Sequence, residues 1–219
     1  MMNDIIRQID ALGVVPVLVI DRVEDAVPLG EALIKGGMPV AEVTMRTPAA
    51  LDAIRAMSTL DGILVGAGTV LSADHVDQAV AAGAAFIVSP GLDAGVVDAA
   101  RRHSVSVIPG IMTASEIQKA YNMGLKLVKF FPANIAGGAA ALKGFSAVFT
   151  DMRFMPTGGV TTDNLAEYLT LPSVQACGGS WIAPASLLQS GNYDEISARA
   201  AKAVAAAKEI KGEYQWPVS

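Results

Sequence analysis

The sequence predicts an α/β fold: a parallel sheet closed into a (β/α)8 barrel, the TIM-barrel architecture, with an N-terminal helix closing its bottom. Three observations carry that expectation. Eight short apolar runs recur along the chain, at 14–20, 40–44, 63–66, 85–88, 105–108, 127–131, 153–156 and 174–177. Segments of helical periodicity lie between them, at 26–35, 49–57, 73–82, 94–102, 114–122 and 163–169, and strands that alternate with helices build parallel sheets. Glycines stand at the ends of many runs and fall late in the chain. An open doubly wound sheet, the main alternative, has fewer strands and one glycine fingerprint near its start.

The elements follow in order. Residues 4–12 form a helix ahead of the first strand, placed to cover the barrel bottom. Gly36 closes the helix at 26–35, and the second strand follows at 40–44. Ser72 opens the helix at 73–82 and Gly83 ends it. Thr113, three residues before Glu116, forms a capping box for 114–122, which stops at Gly124. Thr162 precedes the helix at 163–169. A last Ala- and Lys-rich helix, 193–211, packs outside the barrel. No linker or composition shift divides the chain, so 1–219 reads as a single domain with a loose tail at 212–219.

Composition narrows the function. The 219 residues are 52% hydrophobic and 17% charged, enough to bury a sizeable core. Aromatics are only 5%, and the Ala and Val that replace them suit close helix-on-sheet packing. A net charge of −5 offers no basic footprint, so no nucleic acid is expected as a partner. Residues 1–11 lack the apolar core of a signal peptide, and no run is long enough to span a bilayer; no membrane association is expected. Cys177 is the single cysteine, which excludes an internal disulfide framework and fits a cytoplasmic location. His75 and His103 are isolated, so no metal site is expected.

In a (β/α)8 barrel the chemistry sits at the carboxyl ends of the strands, and the unusual residues of this chain gather there. Lys129 stands inside the apolar run Leu127-Val128-Lys129-Phe130-Phe131-Pro132. Burial disfavours an ammonium and favours the neutral amine, which attacks carbonyl carbon to form a Schiff base. In the second strand Glu42, Thr44 and Arg46 alternate with apolar Val43 and Met45, so a carboxylate and a guanidinium are expected to face the barrel mouth. An ordinary internal salt bridge is the competing reading of that segment. The third strand ends in Gly66-Ala67-Gly68-Thr69, where glycines let a ligand approach the backbone and Thr69 offers a hydroxyl. Ser89-Pro90-Gly91 and Pro109-Gly110 end the next two strands and read as turns. The seventh and eighth end in Pro156-Thr157-Gly158-Gly159 and Gly178-Gly179-Ser180, a pair suited to a phosphate group.

These residues suit a lyase acting on a phosphorylated 2-oxo acid. Lys129 forms the imine, Arg46 holds the carboxylate, Thr69 adds a hydrogen bond, and Glu42 moves protons. The imine is itself the electron sink, so no cofactor and no metal are expected.

The motifs Glu42-Val43-Thr44-Met45-Arg46-Thr47, Gly66-Ala67-Gly68-Thr69-Val70, Ser89-Pro90-Gly91, Lys129-Phe130-Phe131-Pro132-Ala133, Pro156-Thr157-Gly158-Gly159 and Gly178-Gly179-Ser180-Trp181 share their order and spacing with a known family. The chain resembles the class I 2-dehydro-3-deoxy-6-phosphogluconate (KDPG) aldolases, which often also act as 4-hydroxy-2-oxoglutarate (KHG) aldolases. The resemblance runs from Val14 to about Ala207. It implies cleavage of KDPG to pyruvate and glyceraldehyde 3-phosphate in the Entner–Doudoroff route. It also implies Lys129 as Schiff-base lysine, Glu42 as general acid/base, and Arg46 and Thr69 as pyruvate-carboxylate ligands. Gly158, Gly159, Gly179 and Ser180 then hold phosphate, and Pro90, Phe131 and Thr157 line the pocket. A homotrimer is implied as well.

One position departs from the family pattern. After Ala133 many relatives carry glutamate, where this chain has Asn134, which leaves the substrate range open. Two further readings stand beside the first. One is an aldolase for the galactonate epimer or for KHG. The other is a non-catalytic phosphate-ligand-binding barrel in which Lys129 merely pairs with Glu42.

Overall fold

The computed structural model describes residues 2–212, with side chains described from Ile5. The expected tail at 212–219 lies outside the described residues except for Gly212, which caps the last helix through its N–H to the Lys208 carbonyl.

Helices and strands alternate along most of the chain. The first half runs α1 (Met2–Leu12), β1 (Val14–Leu18), a 3-10 turn (Val23–Asp25), α2 (Ala26–Lys35), β2 (Val40–Thr44), α3 (Ala50–Met57), β3 (Leu64–Gly68), α4 (Ala73–Ala81), β4 (Phe86–Val88), α5 (Ala94–Arg102) and β5 (Ser106–Ile108). The second runs β6 (Gly110–Ile111), α6 (Ala114–Asn122), β7 (Leu127–Phe130), α7 (Gly138–Val148), β8 (Arg153–Pro156), α8 (Leu165–Leu169), β9 (Cys177–Gly179), α9 (Ala185–Gln189) and α10 (Tyr193–Lys211).

All strand pairings are parallel. Six strands form one sheet in the order β5-β4-β3-β2-β1-β9, and β6, β7 and β8 form a second. The sequence led us to expect one closed ring of eight strands; the pairing is instead divided between two sheets. Proline explains the extra strand. Pro109 has no N–H to donate and ends the fifth run as β5, which pairs with β4; Gly110 and Ile111 beyond it form β6, which pairs with β7. The sheets meet again where isolated bridges join Phe154 to Val174 and Thr157 to Gly178. The eighth run is shifted from 174–177 to β9, whose Cys177, Gly178 and Gly179 pair with Val14, Val15 and Pro16.

Every residue of β1, β2 and β7 is buried, as a parallel sheet covered by helices requires. Phe86, Phe130 and Phe154, from β4, β7 and β8, are the bulkiest fully buried side chains. Each stabilises the fold by about 1.5–3 kcal/mol relative to exposure. α1 packs against β1, β5 and α10. Lys211 ties these parts together, donating to the Asp10 carbonyl, the Asp10 carboxylate and the Gln175 carbonyl. α7 lacks a clear apolar stripe, because Leu142 is its only fully buried residue. α8 starts two residues later than expected, with Asn164 rather than Thr162 at its N-cap. Among the described residues no helix is long and apolar enough to cross a membrane.

Candidate active site

The site is built around an ion pair between β7 and β2. Lys129 Nζ donates to Glu42 Oε1 at 2.9 Å, and the two side chains are 7% and 0% exposed. The buried amine inferred from sequence therefore has a carboxylate partner, and Glu42 is bound to Lys129, not to Arg46. A buried pair recovers its desolvation cost only through close geometry and further hydrogen bonds. Here one acceptor is left over: Glu42 Oε2 is buried and makes no hydrogen bond among the described residues. The ring of Phe131, half-buried at the end of β7, lies with its centroid 5.3 Å from Nζ.

Glycines on β3 make this arrangement possible. A Cβ at Gly68 would lie 2.4 Å from Glu42 Oε1 and 2.7 Å from its Cγ, and a Cβ at Gly66 would lie 2.3 Å from the Phe86 ring. We expected these glycines to admit a ligand to the backbone; they admit the side chains of Glu42 and Phe86 instead. Register supports the same geometry, since Glu42 pairs with Val17 and Gly66, and Lys129 with Gly110 and Met155.

The alternation of β2 ends at Thr44. Its buried hydroxyl donates to the Leu18 carbonyl at 2.7 Å, and Thr47 donates in the same way to Ile20 at 2.5 Å. Met45 N–H is held by the Gly68 carbonyl. Arg46 lies between these anchors, past the strand end, and is exposed. Thr69 follows Gly68 with φ +57°, a left-handed conformation uncommon outside glycine, asparagine and aspartate. Such outliers concentrate at functional sites.

The neighbouring loops close around this centre. Ser89 donates to the Gly91 carbonyl at 2.8 Å, and a Cβ at Gly110 would lie 2.0 Å from the Pro90 carbonyl oxygen. Pro109-Gly110 is thus more than a turn, because Pro90 packs its backbone on Gly110.

The two glycine loops expected to hold phosphate come together at the Thr157–Gly178 bridge, where a Cβ at Gly178 would lie 2.2 Å from Thr157 Oγ1. Thr157 is buried. Gly158 and Gly159 have φ of +97° and +72°. Among the described residues, no hydrogen bond within the chain engages their N–H groups. Ser180 is exposed, whereas Gly179 is buried, paired with Pro16 and packed beneath the Trp181 ring. Asn164, which sequence reasoning passed over, shapes the first loop. Its Nδ2 donates to the Gly159 carbonyl at 2.9 Å and its Oδ1 accepts from Thr161 N–H at 2.8 Å. The Asn164 side chain does not cap α8 but folds back on the preceding loop, so an Asn at a helix start was only a weak signal of this role.

Cys177 is no rival nucleophile. Burial pushes its thiol well up, with Lys211 opposing only in part. Among the described residues no group of three or more His, Cys, Asp or Glu is placed to hold a metal ion.

The family model for KDPG and KHG aldolases matches residues 5–199. The chain is 46% identical over 198 residues to the 2-dehydro-3-deoxy-phosphogluconate aldolase of Treponema pallidum (strain Nichols), covering 90% of this chain and 94% of that one. It is also similar to the solved 2-keto-3-deoxy-6-phosphogluconate aldolase of Zymomonas mobilis ZM4 with 3-phosphoglycerate, with TM-score 0.88, 44% identity and coverage of 94% and 97%. A third similarity is to the KDPG aldolase of Legionella pneumophila with pyruvate captured as a covalent carbinolamine, with TM-score 0.86, 42% identity and coverage of 90% and 96%.

Proposed function

This chain belongs to the KDPG and KHG aldolase family, and from that premise we propose that it is a class I aldolase cleaving KDPG to pyruvate and glyceraldehyde 3-phosphate. The observation that carries the reading is the buried Lys129–Glu42 contact of 2.9 Å. A carboxylate at that distance can take the ammonium proton and leave a nucleophilic amine.

The amine nitrogen adds to C2 of the 2-oxo acid and gives a carbinolamine. Loss of water, assisted by proton return from Glu42, gives the protonated imine. Glu42 then removes the C4 hydroxyl proton. The C3–C4 bond breaks, its electron pair moves to the imine nitrogen, and the aldehyde leaves. Protonation of the resulting enamine at C3 and hydrolysis release pyruvate and restore Lys129. Because the imine nitrogen is the electron sink, the route requires neither metal nor organic cofactor. The free oxygen Glu42 Oε2 is available for these proton transfers.

Arg46 would grip the substrate carboxylate with two parallel hydrogen bonds, assisted by Thr69. The loops of Gly158, Gly159, Gly179 and Ser180 would hold the phosphate, and Pro90, Phe131 and Thr157 would line the pocket. The Zymomonas relative was solved with a phosphorylated three-carbon acid and the Legionella relative with covalent pyruvate. Pyruvate is one half of such a substrate, and the phosphorylated acid has the carbon chain and phosphate of the other half, glyceraldehyde 3-phosphate, at a higher oxidation level. The family name supports KHG as a second substrate.

We also read the two sheets as arcs of one closed (β/α)8 barrel, with α1 closing its bottom, in a single domain. The continuity of β5 and β6 across Pro109 and the Thr157–Gly178 bridge support that reading. A cytoplasmic homotrimer follows the family resemblance; exposed Ile135 and Val148, 72% and 73% accessible, supply apolar surface for association.

Borohydride reduction in the presence of pyruvate, followed by peptide mass mapping, tests the mechanism. A reduced pyruvyl adduct on Lys129 alone is expected. Its absence from folded protein would overturn the aldolase reading in favour of a non-catalytic phosphate-binding barrel.

A further inference from the structure

Beside the proposed phosphate loop stands a side chain with no assigned task. Asn134 lies just beyond β7 and is exposed. Its N–H donates to the Gly158 carbonyl at 3.2 Å, and that of Ala133 donates to the Thr157 carbonyl at 2.8 Å, so the backbone is laced to the loop. The side chain covers Gly159: a Cβ there would lie 2.5 Å from Asn134 Cβ, 2.6 Å from Cγ and 2.8 Å from Nδ2. Gly159 is therefore clasped between two carboxamides, with Asn164 holding its carbonyl and Asn134 lying over its Cα. The Asn164 amide is committed at both ends. The Asn134 amide makes no hydrogen bond within the chain among the described residues, and its NH2 end is turned toward the glycine. Residues 157–161 and 178–181 carry no charge of either sign. The loops themselves would offer a dianion neutral donors only, with the Arg199 guanidinium beside them engaged by the Trp181 carbonyl at 3.1 Å.

We propose that Asn134 is a further substrate-binding residue, presenting its side-chain NH2 to the substrate phosphate and so favouring phosphorylated over unphosphorylated 2-oxo acids. The proposal rests on the phosphate reading of the Gly158–Gly159 and Ser180 loops. A carboxamide donates to a dianion, whereas a carboxylate of the same size repels it; at an exposed rim the difference amounts to about tenfold in affinity.

The test uses full-length Asn134→Asp and Asn134→Ala, with Ser180→Ala as reference. Steady-state kinetics are measured on KDPG and KHG, with inorganic phosphate as competing inhibitor. Asn134→Asp should raise KM for KDPG and the phosphate inhibition constant together by about tenfold, with a clearly smaller loss on KHG. Added salt should shrink the penalty, and Asn134→Ala should fall between Asp and wild type. Equal losses on both substrates would assign Asn134 to loop packing and overturn the proposal. So would unchanged phosphate inhibition in Asn134→Asp while Ser180→Ala weakens it. If neither variant alters phosphate inhibition, the phosphate reading of the loops falls, and the proposal with it.

Discussion

The Glu42 carboxylate lies directly over Gly68, so close that a methyl group on residue 68 would come within 2.4 Å of Oε1. Gly68→Ala must therefore move Glu42 or the strand. Overpacking at a buried site costs about 1–3 kcal/mol, which calorimetry would show as a lowered Tm. A larger effect is expected on kcat. Displacing Glu42 from its 2.9 Å contact with Lys129 should slow turnover on the order of 10²-fold. Turnover equal to wild type in a folded Gly68→Ala protein would show that the carboxylate position is not critical.

The ion pair itself predicts a stability signature. Lys129→Met removes the only hydrogen-bond partner, among the described residues, of a fully buried carboxylate. Breaking a buried pair from one side costs about 3–5 kcal/mol, because the remaining charge is uncompensated. Lys129→Met should be inactive and destabilised by that amount in urea denaturation, and adding Glu42→Leu should restore much of the loss. A double variant no more stable than Lys129→Met would mean that the carboxylate is solvated or protonated in the single variant.

Glu42→Gln weakens every proton transfer assigned to Glu42, those of imine formation included, but leaves the Lys129 amine in place for slow adduct formation. The amide keeps the shape of the side chain but cannot serve as base. Borohydride should still trap pyruvate on Lys129, while turnover falls by about 10² to 10⁴. Wild-type kcat in this variant would remove Glu42 from the mechanism.

Sequence reading reached the alternation of strands and helices, and the pairing of Lys129 with chemistry at strand ends. Both leave local patterns: an apolar run, a charge inside it, a capping box at Thr113 and Glu116. What it missed depends on contacts between distant strands. Gly66-Ala67-Gly68 reads as a ligand-binding turn until β2 and β4 lay Glu42 and Phe86 across it. Arg46 fits the alternation of β2 on paper, yet it stands past the strand end and is exposed, with Thr44 and Thr47 tying the chain to the Leu18 and Ile20 carbonyls on either side of it. The split at Pro109 follows from proline chemistry and was legible in principle. The shift of β9 to 177–179 was not, because it is set by pairing with β1.

Those two threonines yield the last prediction. Thr44 and Thr47 donate to carbonyls at the end of β1 and just beyond it, Leu18 and Ile20, and bracket the turn that carries Arg46. Thr47 touches neither Lys129 nor Glu42 in any hydrogen bond, so it would act through Arg46, as a positioning residue. Thr47→Val keeps the shape and loses the hydroxyl, leaving the Ile20 carbonyl without its side-chain donor, at a cost of about 1–3 kcal/mol. If Arg46 grips the substrate carboxylate, the turn's added freedom should raise KM for pyruvate in the condensation direction, with kcat changing less. Phosphate inhibition, at the other end of the site, should stay as in wild type, and Thr47→Ser should recover the lost affinity. A uniform fall in stability and kcat with KM unchanged, not rescued by serine, would leave Thr47 as a packing residue and weaken the assignment of Arg46 to the carboxylate.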